Sequence, residues 1–220
     1  MTNILLITHA IAGLVTLIAG IGAMVSPKRL KVHRPFGKIF YYTMWYVVVT
    51  AFALSLLKTN YFLFMVGILV FYTNVMGFRS LQLYKSKVIS VGWKEWGVWA
   101  FTVVLLVGVH IYIIVHSGFQ TDGVFMIINI FTLILTLNLL QDAKLFRAKS
   151  IERKRYLIAH IGKMGGTFIA AVTAALVQNV VTNPLWVGWL LPAAIFTPAI
   201  VFYIKQVRKG SFWQKRRIIN

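Results

Sequence analysis

Five histidines and no cysteine set the metal and redox chemistry open to this 220-residue chain. Thiolate zinc sites, iron–sulfur clusters and cysteine nucleophiles are excluded, whereas imidazole ligands for a metal or a haem iron are not. His9 lies in a long apolar run with Ala12, Gly13, Thr16 and Gly20 at i+3, i+4, i+7 and i+11. That smooth helix face would let a porphyrin lie flat, and it would equally suit a second helix. His110 sits in another apolar run, but Leu106, Val107, Ile113 and Ile114 around it are bulky. In His160-Ile161-Gly162-Lys163-Met164-Gly165-Gly166-Thr167 the residues His160, Lys163, Met164 and Thr167 share one helical stripe. Gly162, Gly166, Ala170 and Ala174 form a small-xxx-small stripe expected to pack. His33 belongs to the basic stretch His33-Arg34-Pro35-Phe36-Gly37-Lys38, read as a loop, and His116 falls on a different face from His110.

Carboxylates are scarce. Glu95, Asp122, Asp142 and Glu152 are all expected at the ends of apolar runs or in loops, which weakens proton transport by a midplane acid and places a membrane zinc hydrolase last.

The elements that position these residues follow from composition. The chain is 59% hydrophobic and 12% charged, against about 45–50% and about 25% in soluble domains. An all-α integral membrane bundle of seven transmembrane helices is expected, with apolar runs at 4–25, 39–57, 61–78, 96–116, 123–141, 157–178 and 185–204. Each is long enough to cross about 30 Å of hydrocarbon at about 1.5 Å per residue. Residues 1–204 form one membrane domain and 205–220 a basic tail. Met1-Thr2-Asn3 has no basic region ahead of the first run, so that run is expected to stay as a helix. His9 and His110 then share one level, while His33 and His160 share the opposite level with Arg34, Arg79, Tyr41, Tyr42 and Gln141. Lys163, one turn into the sixth run, could neutralise a haem propionate or a lipid phosphate. The favoured reading is that it snorkels to the interface.

Lys and Arg number 23 against 4 Asp and Glu; 21 of the 23 fall in alternate connections and the tail, Lys163 lies one turn into the sixth run on that same side, and Lys58 is the exception. By the positive-inside rule that side is cytoplasmic, with the amino terminus outside and the carboxyl terminus inside. Topology and attraction to anionic lipid account for the charge without nucleic acid. Asp122 and Asn183-Pro184 read as helix N-caps, Pro192 and Pro198 as kinks, and Trp93, Trp96, Trp99, Trp186 and Trp189 as interface anchors. Asn74, Asn129 and Asn138 are expected to hydrogen-bond between helices.

His9, Pro27-Lys28, the stretch from His33 to Tyr41 and His160-Ile161-Gly162-Lys163-Met164 together resemble the bacterial multi-pass membrane proteins of domain-of-unknown-function family 2306. Where members commonly have an arginine-rich His-x-x-x-Met segment, only Arg153, Arg155 and Lys163 surround it here. The resemblance carries no activity. It implies a bacterial inner-membrane location and singles out His9, His33, Arg34, Gly37, His160 and Met164.

Two functional readings stand. In the first, His9 and His110 ligate a haem b at one level and His33 and His160 act at the other, for transmembrane electron transfer. In the second, a lipid or small-molecule transporter or sensor holds an anionic group in a cytoplasmic pocket of His33, Arg34, His160 and Lys163, with Tyr41 as a further contact. An accessory subunit of a larger membrane complex, or a homo-oligomer, is the third expectation.

Overall fold

The computed structural model describes residues 2–26, 30–87, 90–118, 123–184 and 186–210. Lys28, Arg29, Asp122, Lys215, Arg216 and Arg217 lie outside them. The described residues form α1 (Thr2–Val25), α2 (Leu30–Leu57), α3 (Tyr61–Ser86), α4 (Trp93–Ser117), α5 (Gly123–Phe146), α6 (Arg153–Asn179) and α7 (Trp186–Arg208), without strands. All seven are long and apolar enough to cross a membrane. Helix is what an apolar chain must form in lipid, since every backbone N–H and C=O then finds its partner within its own segment.

Helix ends and hydropathy ends agree within two residues at the ends away from the basic segments. At the basic ends most helices overshoot. α2 starts at Leu30 rather than 39, α3 runs to Ser86 rather than 78, and α7 to Arg208 rather than 204. The stretch His33–Lys38, expected as a loop, is therefore helical. Pro35 removes one backbone donor in the second turn, close to the helix start, so the loss is confined to one carbonyl. Tertiary contacts offset it. The Phe36 ring packs so closely on Gly22 that a Cβ there would lie 2.6 Å from it, and His33 Nδ1 donates to the Ala23 carbonyl at 2.9 Å.

The chain divides into two compact units, Met1–Asn74 with Gly97–Asp142, and Val75–Trp96 with Ala143–Asn220. In the first, α1 and α2 pack antiparallel through polar rungs. His9 meets Thr50 (2.7 Å), and Thr16 meets Thr43 (2.7 Å). The rungs step by seven residues on each helix, the repeat that keeps one stripe in contact between left-handed helix pairs. In lipid there is no hydrophobic drive to hold two helices together, so hydrogen bonds and close packing must. Further along, Trp99 Nε1 donates to the Leu139 carbonyl (2.9 Å) and ties α4 to α5, a role beyond that of an interface anchor. Asn74 Nδ2 bonds the Tyr41 carbonyl at 3.3 Å, between helices as expected. Asn129 and Asn138 instead bond carbonyls four residues back on α5, because an amide facing outward finds no nearer acceptor than its own helix.

In the second unit α3 and α6 run antiparallel, again with rungs seven residues apart. His160 Nδ1 donates to the Gly77 carbonyl (2.9 Å) and Arg153 Nε to the Tyr84 carbonyl (2.9 Å). α6 meets α7 through Gly165, where a Cβ would press on Ile200, and through Gly162, beside Ile204. Gly166, placed in the packing stripe from sequence, has nothing within 4 Å of its would-be Cβ. The contact follows an i, i+3 row through 162 and 165 rather than i, i+4. α7 begins at Trp186, two residues beyond the expected Pro184 start, and Thr182 Oγ1 rather than Asn183 accepts one of its leading N–H groups, from Gly188 at 3.1 Å.

Candidate functional site

At the basic end of the second unit, the last two turns of α3 lie along the first turn of α6. Leu83, Ile151 and Tyr156 are buried together there, with Tyr84, Val91, Leu145 and Ala148 around them. Beside this cluster is a cavity of about 230 Å³ lined by Tyr84, Arg153, Lys154 and Leu157. Its guanidinium is fixed. Arg153 Nε donates to the Tyr84 carbonyl, and its central carbon lies 4.4 Å from the centre of the Tyr84 ring. A cation held over an aromatic face in this way needs little further ordering to bind an anion. Lys154 Nζ is 2.8 Å from Glu152 Oε1, a pair exposed to solvent on both sides. Glu152 occupies the N-cap position of α6 without capping it through its side chain; the Arg155 N–H bonds the Glu152 carbonyl at 2.8 Å, so of the first three N–H groups those of Arg153 and Lys154 are the ones that could face an anion.

Close by in the same unit, Glu95 is buried and forms an ion pair with Arg79 Nε. Its second oxygen accepts the Gly92 N–H at 2.8 Å. This is half of a capping box, with the carboxylate three residues into α4 reaching back to its N-cap. Arg79 also donates from Nη1 to Gln82 Oε1 (2.9 Å). In the first unit Asp142 is buried as well and accepts the Tyr72 O–H at 2.5 Å. Neither carboxylate is a solvated loop group. Both stand at helix ends by sequence, yet a neighbouring helix covers each. The Gly92-x-x-Glu95 spacing was a usable signal for the first, whereas nothing local marks Asp142.

The histidines divide between the units. His9, His33, His110 and His116 are in the first and His160 is in the second. Their Nδ1 atoms are committed. His33, His110, His116 and His160 each place Nδ1 on a carbonyl, so that nitrogen carries the proton. The Thr50 hydroxyl has its own carbonyl acceptors, Tyr46 at 2.7 Å and Val47 at 3.1 Å. With the Thr50 proton directed there, His9 Nδ1 is the donor to Thr50. His110 Nε2 lies 3.0 Å from Thr132 Oγ1, so it accepts that hydroxyl. A haem iron at His110 would have to displace Thr132. Thr16, on the smooth face that runs from His9, is filled by α2 through Thr43. Among the described residues no three His, Asp or Glu side chains gather as a metal site, and no histidine lines the cavity at Tyr84 or the apolar one between Trp45 and Leu105.

The expected inner pocket is likewise divided, with His33, Arg34 and Tyr41 in the first unit and His160 and Lys163 in the second. Arg34 is exposed and Tyr41 partly buried. Lys163 does not snorkel. It is 6% exposed, because its Cβ starts toward α3, only 3.2 Å from where a Gly77 Cβ would sit. Of the positions singled out with family 2306, His9, His33, His160 and Met164 sit at helix contacts. Gly37 has open space around it. The cavity residues Arg153, Lys154 and Tyr84 were not picked out as site residues from sequence. Arg153-Lys154-Arg155 read as topology, and only the fold turns two of the three toward Tyr84. No protein-family model, curated protein or solved structure matches the chain.

The His9–Thr50 rung gives a direct test of the packing role. Thr50→Val removes the hydroxyl partner of the half-buried His9 Nδ1 and is expected to cost about 1–3 kcal/mol in detergent unfolding. Combined with His9→Ala it should cost clearly less than the sum of the single changes. Additive effects would mean that the rung carries no coupling.

Proposed function

We propose that this is a multi-pass protein of the bacterial inner membrane, amino terminus outside and carboxyl terminus in the cytoplasm, that binds an anionic amphiphile at its basic end. The carrying observation is the cavity at the start of α6, where a fixed guanidinium and an ammonium stand beside the apolar wall of Leu157. Charge for a head group beside hydrocarbon for a tail is the chemistry of a lipid or an acidic lipophile at the interface. The alternation of Lys and Arg between connections supports the orientation. Seven apolar helices support the membrane assignment.

Binding to the purified protein should favour anionic over zwitterionic lipid in native mass spectrometry, and Arg153→Ala should remove most of that preference. Equal retention of both lipid classes by the unaltered protein would overturn the reading. Reporter fusions at the two ends should place them on opposite sides of the membrane.

The haem-b reading keeps one observation in its favour. A Nδ1–H held on a carbonyl is how proteins orient an imidazole that ligates through Nε2, and His33 and His160 both have that geometry. A Soret band in the purified protein that is lost in His160→Ala would establish it.

A further inference from the structure

We infer that the cavity lined by Tyr84, Arg153, Lys154 and Leu157 is selective for a dianionic phosphoryl group, a phosphomonoester head or free phosphate, over a phosphodiester. The inference rests on the anion-binding reading above and goes on to name the group recognised. Arg153 commits Nε to the Tyr84 carbonyl and one face to the Tyr84 ring. Its two Nη groups remain as a planar fork, the arrangement that matches two oxygens of one phosphoryl group. A singly charged diester would be satisfied by that fork alone.

The second charge is what Lys154 can recognise. Its ammonium is already occupied by Glu152, at 2.8 Å, with side-chain exposures of 46% and 57%. An exposed pair of this kind is held weakly, so a dianion displaces Glu152 while a monoanion gains little by doing so. Glu152 therefore acts as an internal competitor that sets a threshold of charge. The positive end of the α6 dipole, without a side-chain cap from Glu152, favours the same ligand. A cavity of about 230 Å³ has room for a phosphoryl group and its ester carbons, with Leu157 facing the apolar part.

The test uses the full-length protein in lipid nanodiscs at about pH 8, where a phosphomonoester carries its second charge. The probes are phosphatidic acid, phosphatidylglycerol and inorganic phosphate. Phosphatidic acid should bind about tenfold more tightly than phosphatidylglycerol, the scale of one added charge-assisted contact. Lys154→Ala should bring that ratio toward one. Glu152→Gln should raise the affinity for phosphatidic acid. Arg153→Lys should weaken both lipids, and thermal unfolding of each variant separates lost binding from lost fold. Competition by inorganic phosphate would assign the site to the free ion, and its absence to the lipid head; either result carries the dianion preference. Equal binding of the two lipids, both lost in Arg153→Ala, would overturn the dianion selectivity and leave the anion-binding reading intact. Failure of both lipids to exceed phosphatidylcholine would overturn the two together.

Discussion

Arg79→Ala is expected to destabilise the protein by about 3–5 kcal/mol, because it leaves a carboxylate buried without its counter-charge. Glu95 has no exposed side-chain surface, whereas Arg79 retains 33%, so the two ends of this pair are not equivalent. Removing the arginine strands Glu95 with one remaining donor, the Gly92 N–H. Glu95→Gln keeps one amide oxygen, for either the Gly92 N–H or Arg79 Nε, and turns its NH2 toward the other donor; the arginine it releases already touches water. That change leaves no buried charge and should cost less, about 1–3 kcal/mol for the donor that loses its acceptor. Replacing both by apolar residues of similar size, Arg79→Met with Glu95→Leu, should recover much of the loss. The measurement is equilibrium unfolding in mixed detergent, and equal costs for Arg79→Ala and Glu95→Gln would sink the argument.

Gly77→Leu comes second in size. A Cβ at Gly77 would stand 2.8 Å from Met164 Sδ, 3.1 Å from Met164 Cγ and 3.2 Å from Lys163 Cβ. The thioether can turn away, but Lys163 Cβ is fixed to the α6 backbone, so the helices must separate. Separation also stretches the His160–Gly77 hydrogen bond of 2.9 Å. Alanine should cost about 1–3 kcal/mol and leucine more. Two glycines of α6 calibrate the result. Gly166→Ala meets nothing within 4 Å and should be neutral or stabilise by up to about 1 kcal/mol through helix propensity. Gly165→Ala meets Cδ1 and Cγ1 of Ile200, a side chain of α7 that must change rotamer, and should fall between. The same order Gly77 > Gly165 > Gly166 in loss of midpoint is the outcome to look for.

Both results concern residues whose roles were only partly readable beforehand. The sequence puts Arg79 near the basic end of its run and Glu95 at a run boundary, and nothing in it pairs the two as the fold does. His160, Lys163 and Met164 were placed on one stripe, and that stripe does meet a neighbour, Gly77 of α3. Sequence could say that these side chains share a face. It could not say which helix the face would find, nor that a glycine there would let the backbones come close. The His9 face shows the complementary case. Its small residues were compatible with a porphyrin or a helix, and Thr43 and Thr50, seven residues apart on α2, decide for the helix.

Whether a segment can enter lipid depends on the summed transfer preference of its own residues, so hydropathy alone marked seven helices long and apolar enough to cross a membrane, and their limits at the ends without Lys and Arg. How far each helix continues past the hydrocarbon, which buried charges pair, and which two of the three cations at 153–155 line a cavity depend on residues far apart in the chain. α2 could extend back through Pro35 only because Gly22 and Ala23 of α1 receive Phe36 and His33. The cavity at Tyr84 exists only because α3 outlasts its apolar run by two turns and meets the first turn of α6. These outcomes are properties of pairs of helices, and the tertiary structure alone decided them.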